Sequence, residues 1–328
     1  MVVAFVGLLD IQRMFSYFES ANGRFSNRYG FVGLDAIADG HTDFVVSDGM
    51  NEAGLTLSLH TMRTAEYEDA EPGRTTLLIN DVIPWALGQF SSVAEVAAGL
   101  ENVSVVPFQG ATQEDFVHWA IADAAGNSAV LEYVAGKRVL HRNDVRVMTN
   151  DPDFTWHLKN LNMYVGLSPQ KPSGNAAITV NTEIGEVPQI WSLGFNLLGL
   201  PGDTSPASRF VRLFYLRQYA QLAEPATSVE DAIVLATGLL NTVFIPRGTV
   251  APLNGFTDPL SYELTQFGLL KIPSQRKLLV RGYRNMGWRE VDLSKLRWDQ
   301  RRSIPVEDGT LGIQDVTGQL VAEPGELI

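Results

Sequence analysis

The segment from Asp115 to Met148 constrains the fold more than any other part of the sequence. It contains four runs with strand character, FVHWAIAD, NSAVLEYV, KRVLH and DVRVM, separated by the turn-like breaks AAGN, AGK and RND. Short runs rich in β-branched and aromatic residues, joined by Gly- and Asn-containing turns, favour strands that pair with their neighbours in sequence. We therefore predict an antiparallel meander here.

Two other segments predict strand pairs. Residues 42–62 have the pattern of two strands joined by a polar loop, in which Asn51 to Gly54 provide the turn. Residues 262–284 contain YELTQFGLLKI and KLLVRGYR, which predict a last pair.

Helical blocks separate these strands. In the first block Pro84 should kink or shorten the helix, and in the second Glu95 follows Ser92 at the spacing of a capping box. Ser205-Pro206 combines a preferred N-cap with a preferred first helical residue. The helices are predicted over residues 75–90, from Ser92 to about Gly99, from Ser205 and from Ser228. Antiparallel strands between helical blocks indicate an α+β layered domain, which two stacked sheets with helices outside would satisfy.

The domain organisation follows from what the sequence lacks. No repeat period and no Gly/Ser- or Pro-rich linker divides the chain of 328 residues. We therefore predict one domain over residues 1–305 and an acidic C-terminal extension over residues 306–328.

Composition excludes several kinds of site. The sequence contains no cysteine, so these residues hold no disulfide, thiolate metal site or cysteine nucleophile. The histidines are scattered without metal-binding spacing, and we predict no metal and no cofactor. The five histidines are His41, His60, His118, His141 and His157.

Charge and hydropathy limit the classes of partner that the chain is expected to bind. Lys and Arg total 25 against 37 Asp and Glu, a formal net charge of −12. This acidic balance argues against nucleic acid and anionic membranes as partners. The apolar start, MVVAFVGLLD, has no positive n-region and is too short to span a bilayer. We predict neither a signal peptide nor a membrane segment, which leaves the cytoplasm and the periplasm both open.

Four blocks in order give the chain a recognisable pattern: SDGMNEAGLTL, VMTNDPDFTWHLKNLNMYVGLSP, GLPGDTSPASRFVRLFYL and TQFGLLKIPSQRKLLVRGYRN. Together they resemble the choloylglycine hydrolase family, which includes penicillin V acylases and bile salt hydrolases, over roughly residues 25–295. The resemblance implies the αββα four-layer sandwich of N-terminal-nucleophile hydrolases, in agreement with the strands and helices above. It also implies a small-molecule amide as substrate and a homotetramer as a possible assembly.

The resemblance implies hydrolysis of a linear amide by an N-terminal cysteine, whose own α-amine serves as base. Asn150 matches the family asparagine whose side-chain NH₂ points into the oxyanion hole; local chemistry alone favours an Asx turn ahead of Pro152. Arg209 matches an arginine near the nucleophile, where a fixed cation would lower a thiol pKa. The alternative for Arg209 is an ordinary surface arginine in the first turn of a helix.

The second oxyanion donor of the family is a backbone N–H group. Counting along the strand after the DGMNE loop gives Thr61, with His60 as the one-residue alternative. A lone histidine at a strand end is more often structural than catalytic, and we therefore interpret His60 as a structural residue. His157 follows Asn150, and we expect it to pack or form hydrogen bonds rather than to transfer protons.

The chain departs from the family pattern at its start. Alignment through Tyr29 to Gly33 places Met1 well beyond the position of the catalytic cysteine, and the hairpin that carries that cysteine has no counterpart. Three explanations follow, in this order: a true start upstream, so that the chain is a truncated acylase; a pseudoenzyme that binds an amide or its acid without cleaving it; or an alternative nucleophile at Ser16, Ser20 or Ser26.

The substrate is not fixed by the sequence. Residues 61–72 and 183–200 are where this chain differs most from its family, and QIWSLGFNLLGL indicates an apolar acyl group. Bile salts, penicillin V, acyl homoserine lactones and other amides all remain open.

Overall fold

Two antiparallel sheets stacked face to face form the centre of the computed structural model. The structure describes residues 3–7, 11–17, 27–36, 45–170, 177–190, 194–251, 263–299, 301–307 and 309–313. The strands are β1 (Val3–Gly7), β2 (Ile11–Tyr17), β3 (Phe31–Ala36), β4 (Val45–Asn51), β5 (Thr56–Thr61), β6 (Thr75–Leu78), β7 (Val103–Val106), β8 (Val117–Ala122), β9 (Ser128–Val134), β10 (Lys137–Arg142), β11 (Ala177–Thr182), β12 (Gly185–Ile190), β13 (Phe267–Ile272), β14 (Lys277–Gly282), β15 (Arg289–Asp292) and β16 (Arg302–Pro305). The helices are α1 (Val82–Gln89), α2 (Val93–Leu100), α3 (Phe154–Asn160), α4 (Pro206–Ala223) and α5 (Val229–Asn241).

Among the described residues, the larger sheet has eight strands in the order β10-β9-β8-β5-β4-β3-β2-β16, and the smaller has four in the order β1-β13-β14-β15. On the outer face of the larger sheet, Leu57 and Trp119 belong to one buried cluster with residues of α1 and α2. On the outer face of the smaller sheet, Leu270 packs with Ala236 and Leu240 of α5. Two sheets between helical layers make the predicted αββα sandwich, and the fold class is confirmed.

The inner faces of the two sheets meet in a mostly apolar layer. Val32, Leu34 and Met50 of the larger sheet pack with Phe267 and Leu269 of β13. The alternation along β13 explains this contact, because every second side chain of a strand points to the same face.

One fully buried ion pair interrupts the apolar layer between the sheets. Lys271 Nζ of β13 lies 2.5 Å from Asp48 Oδ1 of β4 and donates to Ser58 Oγ of β5 at 2.7 Å. Burial raises the pKa of Asp48 and lowers the pKa of Lys271, and the attraction between the two charges opposes both shifts. The pair fixes which strands of the two sheets lie opposite each other, because either charge alone would be costly to bury.

The predicted turn between β4 and β5 also holds a helix end. Asn51 Oδ1 accepts from Leu55 N at 2.9 Å, and Gly54 takes a positive φ of 87° that glycine adopts without strain. Asn51 Nδ2 donates to the carbonyls of Leu87 and Phe90 at 2.8 and 2.7 Å. The turn is confirmed, and Asn51 in addition satisfies carbonyls left without partners at the end of α1.

The meander is confirmed for its first three strands, β8, β9 and β10, which pair antiparallel in sequence order. The fourth run, DVRVM, is not a strand, and the strand prediction was wrong there. Arg146 takes a left-handed φ of 56°, and the Asn143 side chain accepts from Arg146 N at 2.7 Å and donates to Val147 O at 3.3 Å. The Asn143 side chain thereby competes with strand pairing.

The helix predicted over residues 75–90 is also partly wrong. Residues 75–78 form β6, which pairs in parallel with β7, and α1 begins only at Val82. Thr75 and Thr76 are β-branched and favour the strand, while Pro84 falls in the first helical turn, where its lack of an N–H group costs little. The helices at Ser92, Ser205 and Ser228 are confirmed, each with the serine hydroxyl accepting from the backbone of the first turn.

The two ends of the chain add strands to the sandwich. β1 pairs with β13 in the smaller sheet, whereas β2 pairs with β3 and β16 in the larger one. The first two strands therefore lie in different sheets. Val306, the first residue of the predicted extension, is buried with the inner layer, and residues 314–328 lie outside the described part of the chain. The division at residue 305 stays a prediction.

In the described ranges no helix combines the length and the apolar character needed to cross a membrane.

We predict that Lys271→Met destabilises the protein by about 3–5 kcal/mol, because it leaves the Asp48 carboxylate buried without its partner. The double variant Asp48→Leu/Lys271→Met should recover most of that loss. Urea denaturation measures both. Arg142→Met is the control, since its pair with Asp144 is exposed at the surface and contributes about 1 kcal/mol or less. A loss in Lys271→Met no larger than in the control would contradict the prediction.

Candidate active site

The Asn150 side chain bridges two distant parts of the chain. Its Nδ2 donates to the Thr61 carbonyl at 3.1 Å, and its Oδ1 accepts from Arg209 Nη2 at 2.7 Å. An arginine can only donate, so this contact fixes which end of the amide is oxygen. The amide nitrogen carries two hydrogens, and one is left for the oxygen of a ligand. Asn150 does not form the Asx turn that local chemistry favoured, because Pro152, two positions later, has no N–H group to donate to the Asn150 side chain.

Arg209 holds this amide from the first turns of α4. Its Nε donates to Thr204 O at 2.9 Å, so two fixed acceptors orient the guanidinium. Burial lowers the pKa of Arg209 to about 10, with Glu263 opposing that shift and Arg212 adding to it. Arg209 therefore stays a cation near neutral pH, and its charge at Oδ1 polarises the amide and strengthens Asn150 Nδ2 as a donor.

Thr61 and His60 lie at the end of β5, beside this pair. Thr61 contributes its carbonyl to Asn150, and the role of its backbone N–H as an oxyanion donor stays a prediction. The half-buried His60 ring lies edge-on to His118, with 6.0 Å between centroids. Burial, and then the positive charges of His118, Arg209 and Lys271, hold the pKa of His60 well below its usual value. The fold thus brings together all four residues singled out by the sequence, and His60 is a neutral member of the group.

A buried acid, Glu132 of β9, positions the turn that carries Asn150. Glu132 Oε1 lies 2.8 Å from His118 Nδ1, and both carboxylate oxygens accept from Phe154 N, at 2.9 and 3.1 Å. His141 Nε2 approaches Oε2 at 3.4 Å. Residues on both sides of Asn150 are therefore tied to one carboxylate, directly at Phe154 and through His118 at Thr149.

His118 connects Glu132 to Thr149, the residue before Asn150. Its Nε2 lies 3.1 Å from the Thr149 carbonyl, while its Nδ1 faces Glu132. The two ring nitrogens of His118 therefore connect the Glu132 carboxylate to the Thr149 carbonyl. Burial alone would raise the pKa of Glu132, but hydrogen bonds from His118 and His141 outweigh it and lower this pKa to about 2. The buried contact between Glu132 and His118 therefore positions the Thr149 carbonyl.

Asp151 joins the same turn to the loop after β5. Its carboxylate accepts from Arg63 N at 2.9 Å, from Thr64 N at 3.0 Å and from Thr64 Oγ1 at 2.7 Å. Partial burial acts to raise the pKa of Asp151, but the bonds from Thr64 and Arg63 lower it below its ordinary value. Asn150 and Thr61 are thus held side by side by two neighbouring connections.

His157 supports the turn from α3. Its Nε2 lies 2.8 Å from the Asn150 carbonyl, and its ring stacks on Phe210 at 4.6 Å between centroids. Burial lowers the pKa of His157, with the Asn150 carbonyl opposing the shift. These contacts agree with the predicted packing and hydrogen-bonding role.

Sequence reasoning missed Glu132, His118 and Asp151. A signal for the first two existed: both are polar residues inside strand runs whose neighbours, Trp119 and Leu131, are apolar and buried. A polar residue at a buried strand position requires a partner. No cluster of three or more His, Asp or Glu side chains that could hold a metal ion occurs in the ranges that the structure describes.

We predict that Glu132→Gln destabilises the protein by roughly 3 kcal/mol near neutral pH, from the difference between a pKa of about 2 and the ordinary value of 4.5. Because the folded-state pKa is depressed, this stability is present above about pH 4.5 and is lost as pH falls toward 2. Urea denaturation of both proteins between pH 2 and 7 should show curves that converge in acid. Glu186→Gln, an exposed control, should follow the wild type, and a constant difference between Glu132→Gln and wild type would contradict the assignment.

The family model of the linear amide C–N hydrolases, choloylglycine hydrolase family, matches residues 9–304. The bile salt hydrolase/transferase of Clostridium perfringens is 32% identical over 265 residues, which is 78% of this chain and 76% of that protein. The penicillin V acylase of Pectobacterium atrosepticum is 27% identical over 69% of this chain and 57% of its own length.

Comparison with solved structures points to the same family. The crystal structure of a variant of the conjugated bile acid hydrolase of Clostridium perfringens superposes with a TM-score of 0.77 at 26% identity and covers 96% of each chain. The family match extends beyond the residues 25–295 of the four sequence blocks. The chain belongs to the choloylglycine hydrolase family of linear amide C–N hydrolases.

Proposed function

We propose that the group formed by Asn150, Arg209 and Thr61 binds the carbonyl of a linear amide at the oxyanion position of an amide hydrolase. The observation that carries the proposal is the Asn150 amide, which is oriented by the half-buried cation Arg209 and has one N–H left for a ligand. A neutral donor fixed in advance suits a developing oxyanion, because it does not titrate and needs no reorganisation.

The chemistry assigned to these residues is charge stabilisation. Attack on the amide carbonyl moves negative charge onto its oxygen, where Asn150 Nδ2 and the Thr61 backbone N–H would donate. Removal of one such donor costs about 100–1,000-fold in rate in hydrolases. Arg209 would add a positive potential through the amide that it holds.

The nucleophile is not a cysteine of these 328 residues, because the sequence has none. Ser20 and Ser26 lie outside the described residues, and Ser16 is described only as a strand position of β2. The absence of a cysteine favours a second candidate function for the chain as written: binding of an acyl amide, or of the acid derived from it, without cleavage. A measurement of amide hydrolysis by the purified chain distinguishes an amide hydrolase from a protein that only binds the amide.

The names of the relatives support a substrate class. They are named as bile salt hydrolases and a penicillin V acylase, and we propose an amide with an apolar acyl group. The loops expected to choose among such groups are residues 61–72 and 183–200, of which residues 191–193 lie outside the described part. The homotetramer also stays a proposal.

We predict that the purified chain of 328 residues releases neither glycine from glycocholate nor phenoxyacetate from penicillin V, since hydrolysis by the family route requires a thiolate. Amine release and liquid chromatography measure the two reactions. Turnover above the uncatalysed rate would contradict this, and mass spectrometry would then show whether Met1 is retained or whether processing has exposed a serine.

Binding tests the oxyanion assignment without catalysis. We predict that Asn150→Ala weakens binding of glycocholate or penicillin V by about 2–10-fold, the loss expected for one hydrogen bond of about 0.5–1.5 kcal/mol. Isothermal titration calorimetry gives the affinities. Asn102→Ala, at an exposed position after α2, is the matched control. Equal affinities of wild type and Asn150→Ala would count against an amide carbonyl at this site.

A further inference from the structure

A cavity of about 700 Å³ lies between the larger sheet and the helices α4 and α5. Its floor is a polar stripe along β5, formed by Thr56, Ser58 and His60, whose side chains share one face of the strand. Its opposite wall is apolar and includes Leu235 and Leu239 of α5. The volume is in the range of small-molecule sites.

The charged residues that line this cavity are of one sign in the part of the chain that the structure describes. Arg146 and Arg217 both line it, and no Asp or Glu is among the described lining residues. This is unusual for a chain with a formal net charge of −12, in which acidic side chains are the more available partners. Two neighbouring guanidinium groups add their positive potentials, which favours an anion at the cavity.

Arg217 has no acidic partner among the described residues that line the cavity. No hydrogen bond or ion pair joins Arg217 to the part of the chain that the structure describes, although the side chain is half-buried. Burial, and then the positive charge of Arg146, lower the pKa of Arg217. An arginine stays charged in such a place, so this half-buried cation is available to an anion from solution.

Arg146 is held at the cavity by a strained backbone. Its left-handed φ of 56° is uncommon for a residue with a side chain, and Asn143, which also lines the cavity, fixes it by accepting from Arg146 N at 2.7 Å. The loop that replaced the expected fourth strand of the meander therefore places an arginine at the cavity opposite α4.

We propose that this cavity is a second ligand site, which binds an organic anion with an apolar body. The carboxylate of the ligand would lie between Arg217 and Arg146, and its apolar part would lie against Leu235 and Leu239. A planar guanidinium binds a carboxylate through two parallel hydrogen bonds. The site goes beyond the proposed amide site, because of the residues assigned there only His60 also lines the cavity.

Two probes of nearly the same shape test the charge requirement. Isothermal titration calorimetry with 1-naphthylacetate and with its neutral amide, 1-naphthylacetamide, should show the acid binding at least about tenfold tighter, as expected for a charge-assisted contact. Arg217→Gln should abolish that preference, while Arg142→Gln, which removes an exposed arginine outside the cavity, should retain it. Equal affinities for acid and amide, or no binding of either, would overturn the proposal.

A second pair of variants tests the location. Ala232 lines the cavity on α5, whereas Val234 of the same helix is 73% exposed and does not. Ala232→Trp should fill the cavity and weaken binding of 1-naphthylacetate at least about tenfold, and Val234→Trp should leave the affinity unchanged. Unaltered binding in Ala232→Trp would place the ligand elsewhere and refute the site. Circular dichroism confirms folding, and if Ala232→Trp does not fold, Arg217→Gln decides the question.

Discussion

The carboxylate of Glu132 receives hydrogen bonds from three parts of the chain that are far apart in sequence. His118 comes from the neighbouring strand, His141 from the next strand of the meander, and the Phe154 N–H from the start of α3. Through His118 it also fixes the Thr149 carbonyl. Since the turn that carries Asn150 lies between Thr149 and Phe154, the position of the proposed oxyanion donor depends on one buried acid. A charge buried this deeply is stable only while its partners are in place, so the position of the turn is coupled to all of them.

A second buried pair, Asp48 with Lys271, performs a different task. It joins β4 to β13 across the sandwich and so fixes how the sheets face each other. The apolar contacts around it would tolerate small shifts between sheets, because hydrophobic packing is not directional, but a 2.5 Å contact between Nζ and Oδ1 does not. The structure thus uses one polar pair to align the sheets and another to align the site. Both lie on the inner face of the larger sheet, and the cavity with its two arginines opens onto the same face.

Much of this arrangement followed from local patterns. The serine N-caps at Ser92, Ser205 and Ser228 predicted helix starts, because a hydroxyl that accepts from the first turn needs only neighbouring residues. The errors have the opposite origin. The run DVRVM has strand composition, yet the Asn143 side chain holds Arg146 in a left-handed conformation. Residues 75–78 became a strand because β7, more than twenty positions later, offered them a partner. Strand formation depends on such partners more than helix formation does.

The same division applies to the candidate site. The motif around Asn150 and the SPASRF block identified Asn150 and Arg209, and counting along β5 gave Thr61 and His60, all from residues in sequence order. The sequence by itself determined these residue types, the layered α+β class and the lack of a cysteine. Only the tertiary structure decided that Arg209 orients the Asn150 amide, that Glu132 and His118 fix its turn, and that Arg217 has no acid beside it among the described cavity residues. The reason is physical: hydrogen bonds and burial depend on the distances between atoms of residues that are far apart in sequence. Asn150 and Arg209, for example, are 59 positions apart, and the local propensity of either segment carries no information about the distance between them.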